Sequence, residues 1–243
     1  MEKYLENKKK ILILGASSDI GVVLVKLFLK KNWKVFAHYN KNNKKLIVLK
    51  KKSKNLKLFK LSLSKPIDVN KFVTKNKFLK DVDSFVSLTG YLKLQEYSNF
   101  KVSEFYNHIN ANYLNNQLFI RFILKNMIKK RWGRILVSSS IGTKFGGGLN
   151  TYVYSLTKYM NEFMPQIFKK YSNKNILYNS LQIGLTDTKL NYVDRKKNLK
   201  KRVSLIPMKR MAKAKEIADL IYYLSSEKNT YISMQKISIS GGE

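Results

Sequence analysis

The chain contains no cysteine. Disulfides, thiolate nucleophiles and cysteine metal sites are therefore excluded. Only two histidines occur, His38 and His108, far apart in sequence. A histidine zinc site and a serine–histidine hydrolase both lack support, and no metal site is expected. No segment approaches the roughly 20 apolar residues that a membrane-spanning helix needs. The opening stretch, MEKYLENKKK, is charged, and no apolar run with a small-residue cleavage pattern follows it. The expectation is a soluble, cytoplasmic protein without a membrane partner, its residues 1–8 disordered.

Acidic residues are scarce. Lys plus Arg number 48 and Asp plus Glu 15, a net charge of +33. Such a balance can mark nucleic acid or an anionic surface as partner. Here the lysines are spread over the chain: Lys8–Lys10, Lys50–Lys52, Lys129–Lys130, Lys196–Lys197, Lys200–Lys201. Asparagine is abundant too, and both residues rise together in A/T-rich coding sequence. No helix-turn-helix, finger or aromatic RNA-binding pattern accompanies the charge. Composition explains the charge better than a nucleic-acid function does.

With 243 residues, 44% of them apolar, the chain can bury one large core, so a single domain is expected over 1–243. Ile11–Leu14 is apolar without polar alternation, as in a strand buried on both faces. Gly15-Ala16-Ser17-Ser18-Asp19-Ile20-Gly21 follows, then an amphipathic run from Val22 to Lys31. Strand, glycine turn and helix are the context of a dinucleotide fingerprint. Gly15 allows a tight turn, Gly21 a close approach, and the helix N-terminus faces an anion. Asp19 can serve as a helix cap.

Further strands are predicted over 34–39, 56–63, 82–88, 135–139, 176–183 and 236–240. Helices are predicted over 40–52, from Pro66, and over 102–130, 151–171 and 213–226. This alternation without repeats argues a doubly wound parallel α/β sheet of Rossmann type. Ligands of such sheets sit at the carboxyl ends of the strands. Gly15, Gly90, Ser140 and Gly184 all fall just after a strand.

The stretch from Arg134 to Lys158 organises the chemistry: a strand, three serines, the loop Gly146-Gly147-Gly148, then Tyr154 and Lys158. Asn150 or Thr151 can cap a helix there. Four residues apart, Tyr154 and Lys158 share one helix face. An ammonium beside a phenol favours phenolate and lowers the tyrosine pKa, which suits proton transfer.

Together these motifs resemble the short-chain dehydrogenase/reductase family, from about Lys9 to the C-terminus. The turn GASSDIG resembles its cofactor loop. Thr89-Gly90 resembles the end of an Asn-Ala-Gly motif. Asn112, Ser140, Tyr154 and Lys158 match the catalytic tetrad, with Ser139 a rival for the serine. Gly184, Thr186 and Thr188 resemble the segment contacting nicotinamide and its phosphate, and Ser240-Gly241-Gly242 the usual Asp-Gly-Gly ending. Leu88, Ser62 and Ile183 depart from the family pattern, as does Asp19 in place of a glycine.

The resemblance implies an NAD(P)(H)-dependent oxidoreductase interconverting a carbonyl and a secondary alcohol. Tyr154 is then the acid or base. Lys158 lowers its pKa and holds the nicotinamide ribose, and Ser140 binds the substrate oxygen. Asn112 supports a relay water. Cofactor contacts are implied for Gly15, Ser17, Ser18, Asp19, Ile20, Gly21, Asn40, Lys41, Thr89, Gly90, Tyr154, Lys158, Gly184, Thr186 and Thr188. No acid lies near Tyr39, and Lys41 with Lys44 or Lys45 can meet a 2′-phosphate, so NADP(H) is preferred over NAD(H).

Gly142–Asn150 and the substrate-loop region 186–212 should wall the pocket. The cations of that region suit a phosphorylated or nucleotide-linked sugar or an acyl group on an acidic carrier protein, and a loop similar to relatives of surface-glycan synthesis points to the sugar. A 3-oxoacyl-(acyl-carrier-protein) reductase is the alternative, and a non-catalytic nucleotide sensor a third reading. The family's pairing of the helices over 102–130 and 151–171 implies a homodimer or homotetramer, using Phe105, Phe119, Phe122, Met160, Phe163 and Phe168.

Overall fold

Along β1 (Lys10–Leu14) alternate side chains serve different layers. Ile11 and Ile13 join one core cluster, Leu12 and Leu14 the other. A strand apolar on both faces needs cover on both, which helices supply. The structure, a computed structural model, describes residues 8–194 and 198–243. Residues 1–7, where disorder is expected, and Arg195, Lys196 and Lys197 of the basic segment lie outside the described residues.

The other strands are β2 (Lys34–Tyr39), β3 (Leu56–Lys60), β4 (Ser84–Ser87), β5 (Gly133–Ser140), β6 (Ile176–Ile183) and β7 (Gln235–Ile239). All pair in parallel, in the order β3-β2-β1-β4-β5-β6-β7. One face packs on α1 (Asp19–Lys30), α2 (Lys44–Lys52) and α9 (Ala214–Ser225). The other packs on α3 (Pro66–Lys75) and α5 (Asn115–Lys130). The doubly wound single domain expected from the sequence is present. Its winding reverses between β1 and β4, which opens a crevice at their carboxyl ends.

Two expected helices are interrupted. The 102–130 stretch comprises α4 (Val102–Ile109), a π turn over Asn110–Leu114, and α5. Here side-chain amides bond to backbone carbonyls: Asn115 donates to Asn110 O at 2.7 Å, beside its own backbone N–H, and Asn116 to Asn112 O at 2.7 Å. Such insertions open the helical ladder, and π turns gather at functional sites. The 151–171 stretch splits into α6 (Tyr152–Met160) and α7 (Ile167–Ser172). Pro165 between them has no N–H and restricts Met164. Of the residues expected at an oligomer face, Phe119 and Phe168 are core, Phe105, Phe122 and Met160 are partly buried, and Phe163 is 71% exposed.

The glycine turn is held from below. Gly15 has φ +70°, and a Cβ there would lie 2.8 Å from Leu88 O. A Cβ on Gly21 would meet Gly15 O at 2.6 Å, so only glycine lets α1 sit on the turn. The buried His38 accepts from Gly15 N–H through Nδ1 at 3.0 Å. Its Nε2 must then carry the proton and donate to Leu61 O at 2.9 Å. Burial lowers the His38 pKa to about 4, the bond to Leu61 offsetting part of the effect.

Because the folded pKa lies below the unfolded value of 6.5, the unfolded chain takes the proton first. Stability is therefore full above pH 6.5 and falls toward pH 4, by on the order of 3 kcal/mol at about 1.4 kcal/mol per unit. Urea unfolding at pH 7 and pH 4.5 should show this loss. His38→Leu should flatten the pH dependence, His108 retaining its share.

Candidate active site

The carboxyl ends of β1, β4, β5 and β6 and the loops after them enclose a cavity of about 1440 Å³. Single small-molecule pockets hold roughly 300–1,000 Å³, so there is room for two ligands. Its lining includes Ser17, Ser18, Asp19 and Ile20 of the glycine turn and Asn42, Asn43, Lys44 and Lys45. Apolar side chains of Leu92, Phe145, Leu149, Leu190 and Leu205 line it too. The same cavity holds Ser138, Ser140, Tyr154 and Lys158.

Helix α6 places Tyr154 and Lys158 on one face, as their spacing requires. The phenol oxygen faces Gly90, 3.9 Å from where a Cβ would sit. Lys158 is 2% exposed, and its ammonium lies 2.6 Å from Thr89 O, 3.0 Å from Ser138 O and 2.9 Å from Ser138 Oγ. The pair is not tuned as expected. Burial raises the Tyr154 pKa, and burial lowers that of Lys158 to about 7. The ammonium is turned to these acceptors and sits 5.8 Å from the phenol ring centre. Desolvation of both groups outweighs the attraction expected from sequence.

Strand alternation divides the three serines. Ser138, Ser139 and Ser140 all contribute atoms to the cavity lining, and their hydroxyls differ in partner. Ser140 Oγ accepts from Gly142 N–H at 3.2 Å, which leaves its own proton for a ligand oxygen. Ser139 donates instead to Glu162 at 2.6 Å. Thr143 and Gln182 also bind Glu162, and Lys236 pairs with it at 3.2 Å. Asn112, fully buried on the π turn, spends its side chain on Tyr91 N–H, Tyr91 O and Thr157 Oγ1. Its carbonyl takes two amide protons, from Asn116 at 2.7 Å and Asn161 at 2.9 Å. The relay water implied for Asn112 therefore finds that carbonyl doubly engaged.

Ser17, Ser18, Asp19 and Ile20 line the cavity, as do Thr89, Gly90, Gly184, Thr186 and Thr188. Gly15 and Gly21 lie beneath the lining. Ser18 caps α1, accepting from Gly21 N–H at 3.1 Å. Asp19 is not the cap. It is the first helical residue and takes Lys189 N–H at 3.0 Å and Lys45 Nζ at 3.1 Å. Burial alone would raise its pKa, but the hydrogen bonds from Lys189 and Lys45 hold it below the ordinary value. Thr186 turns its hydroxyl to Gly184 O at 3.0 Å. Asn40 and Lys41 are exposed and outside the lining, because the chain turns away after β2 and brings back Asn42–Lys45.

The sequence reading missed His38, Ser138 and Glu162. A polar residue inside the apolar second strand was the signal for His38. Period-two alternation with Ser140 was the signal for Ser138. Nothing in the sequence marks Glu162. Among the described residues no cluster of histidine, aspartate and glutamate fits a metal ion, and no helix is long and apolar enough to cross a membrane.

The 3-oxoacyl-[acyl-carrier-protein] reductase FabG of Buchnera aphidicola subsp. Schizaphis graminum is 32% identical over 202 residues, covering 72% of this chain and 80% of that protein. Glucose 1-dehydrogenase of Gluconobacter oxydans is 28% identical, covering 96% of this chain and 91% of its own. The solved structure of ElxO with NADP bound superposes with a TM-score of 0.83 at 26% identity, covering 97% and 98% of the two chains. Residues 9–199 match the short chain dehydrogenase family as a whole. The chain therefore belongs to the short chain dehydrogenase family and is an oxidoreductase of that kind.

Proposed function

We propose that the cavity exchanges a hydride between NADP(H), in preference to NAD(H), and a carbonyl or secondary alcohol carried on an apolar acyl group, as in a 3-oxoacyl thioester. One observation carries this reading: Tyr154, Lys158 and Ser140 share one cavity with the glycine turn, the start of α1 and several apolar side chains. The start of α1, seated on the turn that Gly15 and Gly21 permit, fits a pyrophosphate. Lys44 and Lys45 fit an additional phosphate. Bound there, the nicotinamide supplies or takes the hydride.

The chain's own residues do the rest. Ser140 donates to the substrate oxygen and holds it beside Tyr154. Tyr154 gives that oxygen a proton in reduction and removes it in oxidation. Lys158 supports the phenol with charge. Asn112 fixes the loop after β4 through Tyr91.

The apolar walls and the FabG relatives favour an acyl substrate over a sugar nucleotide. Several cations of the 186–212 region are already committed: Arg202 pairs with Glu243, Arg210 with Glu216, and Lys209 binds Ser204 O.

Tyr154→Phe should lower turnover of a short 3-oxoacyl thioester with NADPH by roughly 10²–10⁴-fold, the usual worth of a general acid. Its NADPH affinity should stay within about threefold, since no binding group is lost. Near-normal turnover would refute the assignment.

Cofactor choice rests on Lys45 rather than Lys41. Lys45→Met should weaken NADPH binding by about tenfold, the effect of one lost charged contact, and leave NADH little changed. Lys41→Met should change neither. Fluorescence titration of both reduced cofactors measures this, and equal effects on the two would exclude a 2′-phosphate contact.

The same reading includes a homodimer. Tyr106 of α4, Leu156 and Tyr159 of α6, and Phe163 are exposed apolar residues. Apolar faces of this kind are commonly buried by a second copy. Sedimentation at micromolar concentration should show a dimer or tetramer, and Phe163→Glu should shift it toward monomer. A monomeric wild type would contradict the assembly.

A further inference from the structure

Lys158 has its hydrogen bonds fully assigned. An ammonium carries three protons. Thr89 O at 2.6 Å, Ser138 O at 3.0 Å and Ser138 Oγ at 2.9 Å take all three. Two of the three acceptors belong to Ser138. Backbone carbonyls accept protons in hydrogen bonds and do not pass them on. A hydroxyl accepts and donates. Among the described residues, Ser138 is the one hydroxyl bonded to this ammonium, and it lines the cavity.

The path through Asn112 is taken. Its carbonyl oxygen has two lone pairs, and the amides of Asn116 and Asn161 occupy them. Both amides are fixed in turn: Asn116 Oδ1 accepts from Ser87 at 2.7 Å, and Asn161 Oδ1 accepts from Asn116 at 3.2 Å. All four residues are buried. A relay over Asn112 would have to displace one of these amides.

We propose that Ser138 is a positioning residue for the oxidoreductase chemistry: its hydroxyl stabilises the charged form of Lys158 and is where Lys158 exchanges its proton with the cavity. The proposal rests on the roles given above to Tyr154 and Lys158. In the reducing direction the Tyr154 O–H bond breaks as an O–H bond forms on the substrate oxygen. The phenolate regains a proton from the Lys158 ammonium once one N–H turns from a carbonyl acceptor to the phenol, leaving a neutral amine. The amine takes the Ser138 hydroxyl proton while the Ser138 oxygen receives one from water in the cavity. One solvent proton is consumed, and no electrons move in these steps.

Few charges compete for Lys158. Tyr154, one turn earlier, is the titratable side chain against it. Glu162, one turn later, directs its carboxylate to Ser139, Thr143 and Lys236. The acceptors from β4 and from β5 are a carbonyl of Thr89 and the two oxygens of Ser138. An acceptor of the ammonium favours its charged form, so its removal lowers the lysine pKa.

The test uses protein labelled with [13Cε]lysine and the variants Ser138→Ala and Ser138→Thr. In the wild type, one lysine signal should titrate near neutrality, and Lys158→Met should remove it. Ser138→Ala should move that titration to lower pH by about one unit or more, the scale of a lost hydrogen bond to a charged group. Ser138→Thr should restore it. With NADPH and a short 3-oxoacyl thioester, the alkaline limb of kcat should move by the same amount. At pH 8 that lowers kcat about tenfold, with NADPH affinity within twofold.

An unchanged Lys158 titration in folded Ser138→Ala protein would overturn the proposal, as would a kcat loss equal at all pH values. If the alanine variant does not fold, Ser138→Cys, which keeps the volume but accepts weakly, carries the same test. Retained turnover in Tyr154→Phe would defeat the underlying reading instead, and the lysine titration would still report on Ser138 alone.

Discussion

Burying one ammonium sets the terms for this active site. Moving a charge out of water costs several kcal/mol unless hydrogen bonds replace the lost hydration. Lys158 is almost fully enclosed, so three acceptors must already stand around it. They come from the ends of two neighbouring strands. Because β4 and β5 run parallel, their carboxyl ends finish side by side. Thr89 just past one and Ser138 near the end of the other then present their oxygens to the same point. An antiparallel pair would place these ends on opposite edges of the sheet. The site is thus a consequence of strand direction before it is a consequence of any side chain.

The same argument extends to the polar layer behind the lysine. Ser87, Asn112, Asn116 and Asn161 are buried and bonded to one another. A fully satisfied buried network is rigid, and a half-satisfied one is costly. The π turn lets this network close. There two side-chain amides, of Asn116 and Asn161, reach the Asn112 carbonyl. On the other side of β5, Ser139 and Thr143 tie the active-site loop to Glu162, and Lys236 ties Glu162 to β7. Three consecutive serines therefore face two environments, and their roles follow from which way each one points.

Much of this was legible in the sequence. Unbroken apolar runs marked the buried strands, because a sheet covered on both faces has no polar side to show. The spacing of Tyr154 and Lys158 implied a shared helix face. What escaped was tertiary. The π turn within 102–130 comes with side-chain amides bonded to backbone carbonyls, and periodicity does not register such bonds. Pro165 was a visible signal for the second break. His38 looked like one residue of a strand, yet its ring joins the glycine turn to the chain beyond β3. The expected lowering of the tyrosine pKa failed for a related reason. Proximity of a charge is readable from spacing, but desolvation depends on everything packed around the pair.

Asp19 shows how a departure from a motif can be absorbed. A carboxylate in the first turn of a helix is favoured by the helix dipole, as any anion there is. It would also compete with an incoming phosphate for that position. In this chain Asp19 is instead drawn sideways, to Lys45 in the first turn of α2 and to the backbone of Lys189 beyond β6. Its charge is matched locally. The three segments it joins also line the cavity. The acid that breaks the glycine pattern thus links three elements of the cavity wall, the start of α1, the start of α2 and the chain beyond β6.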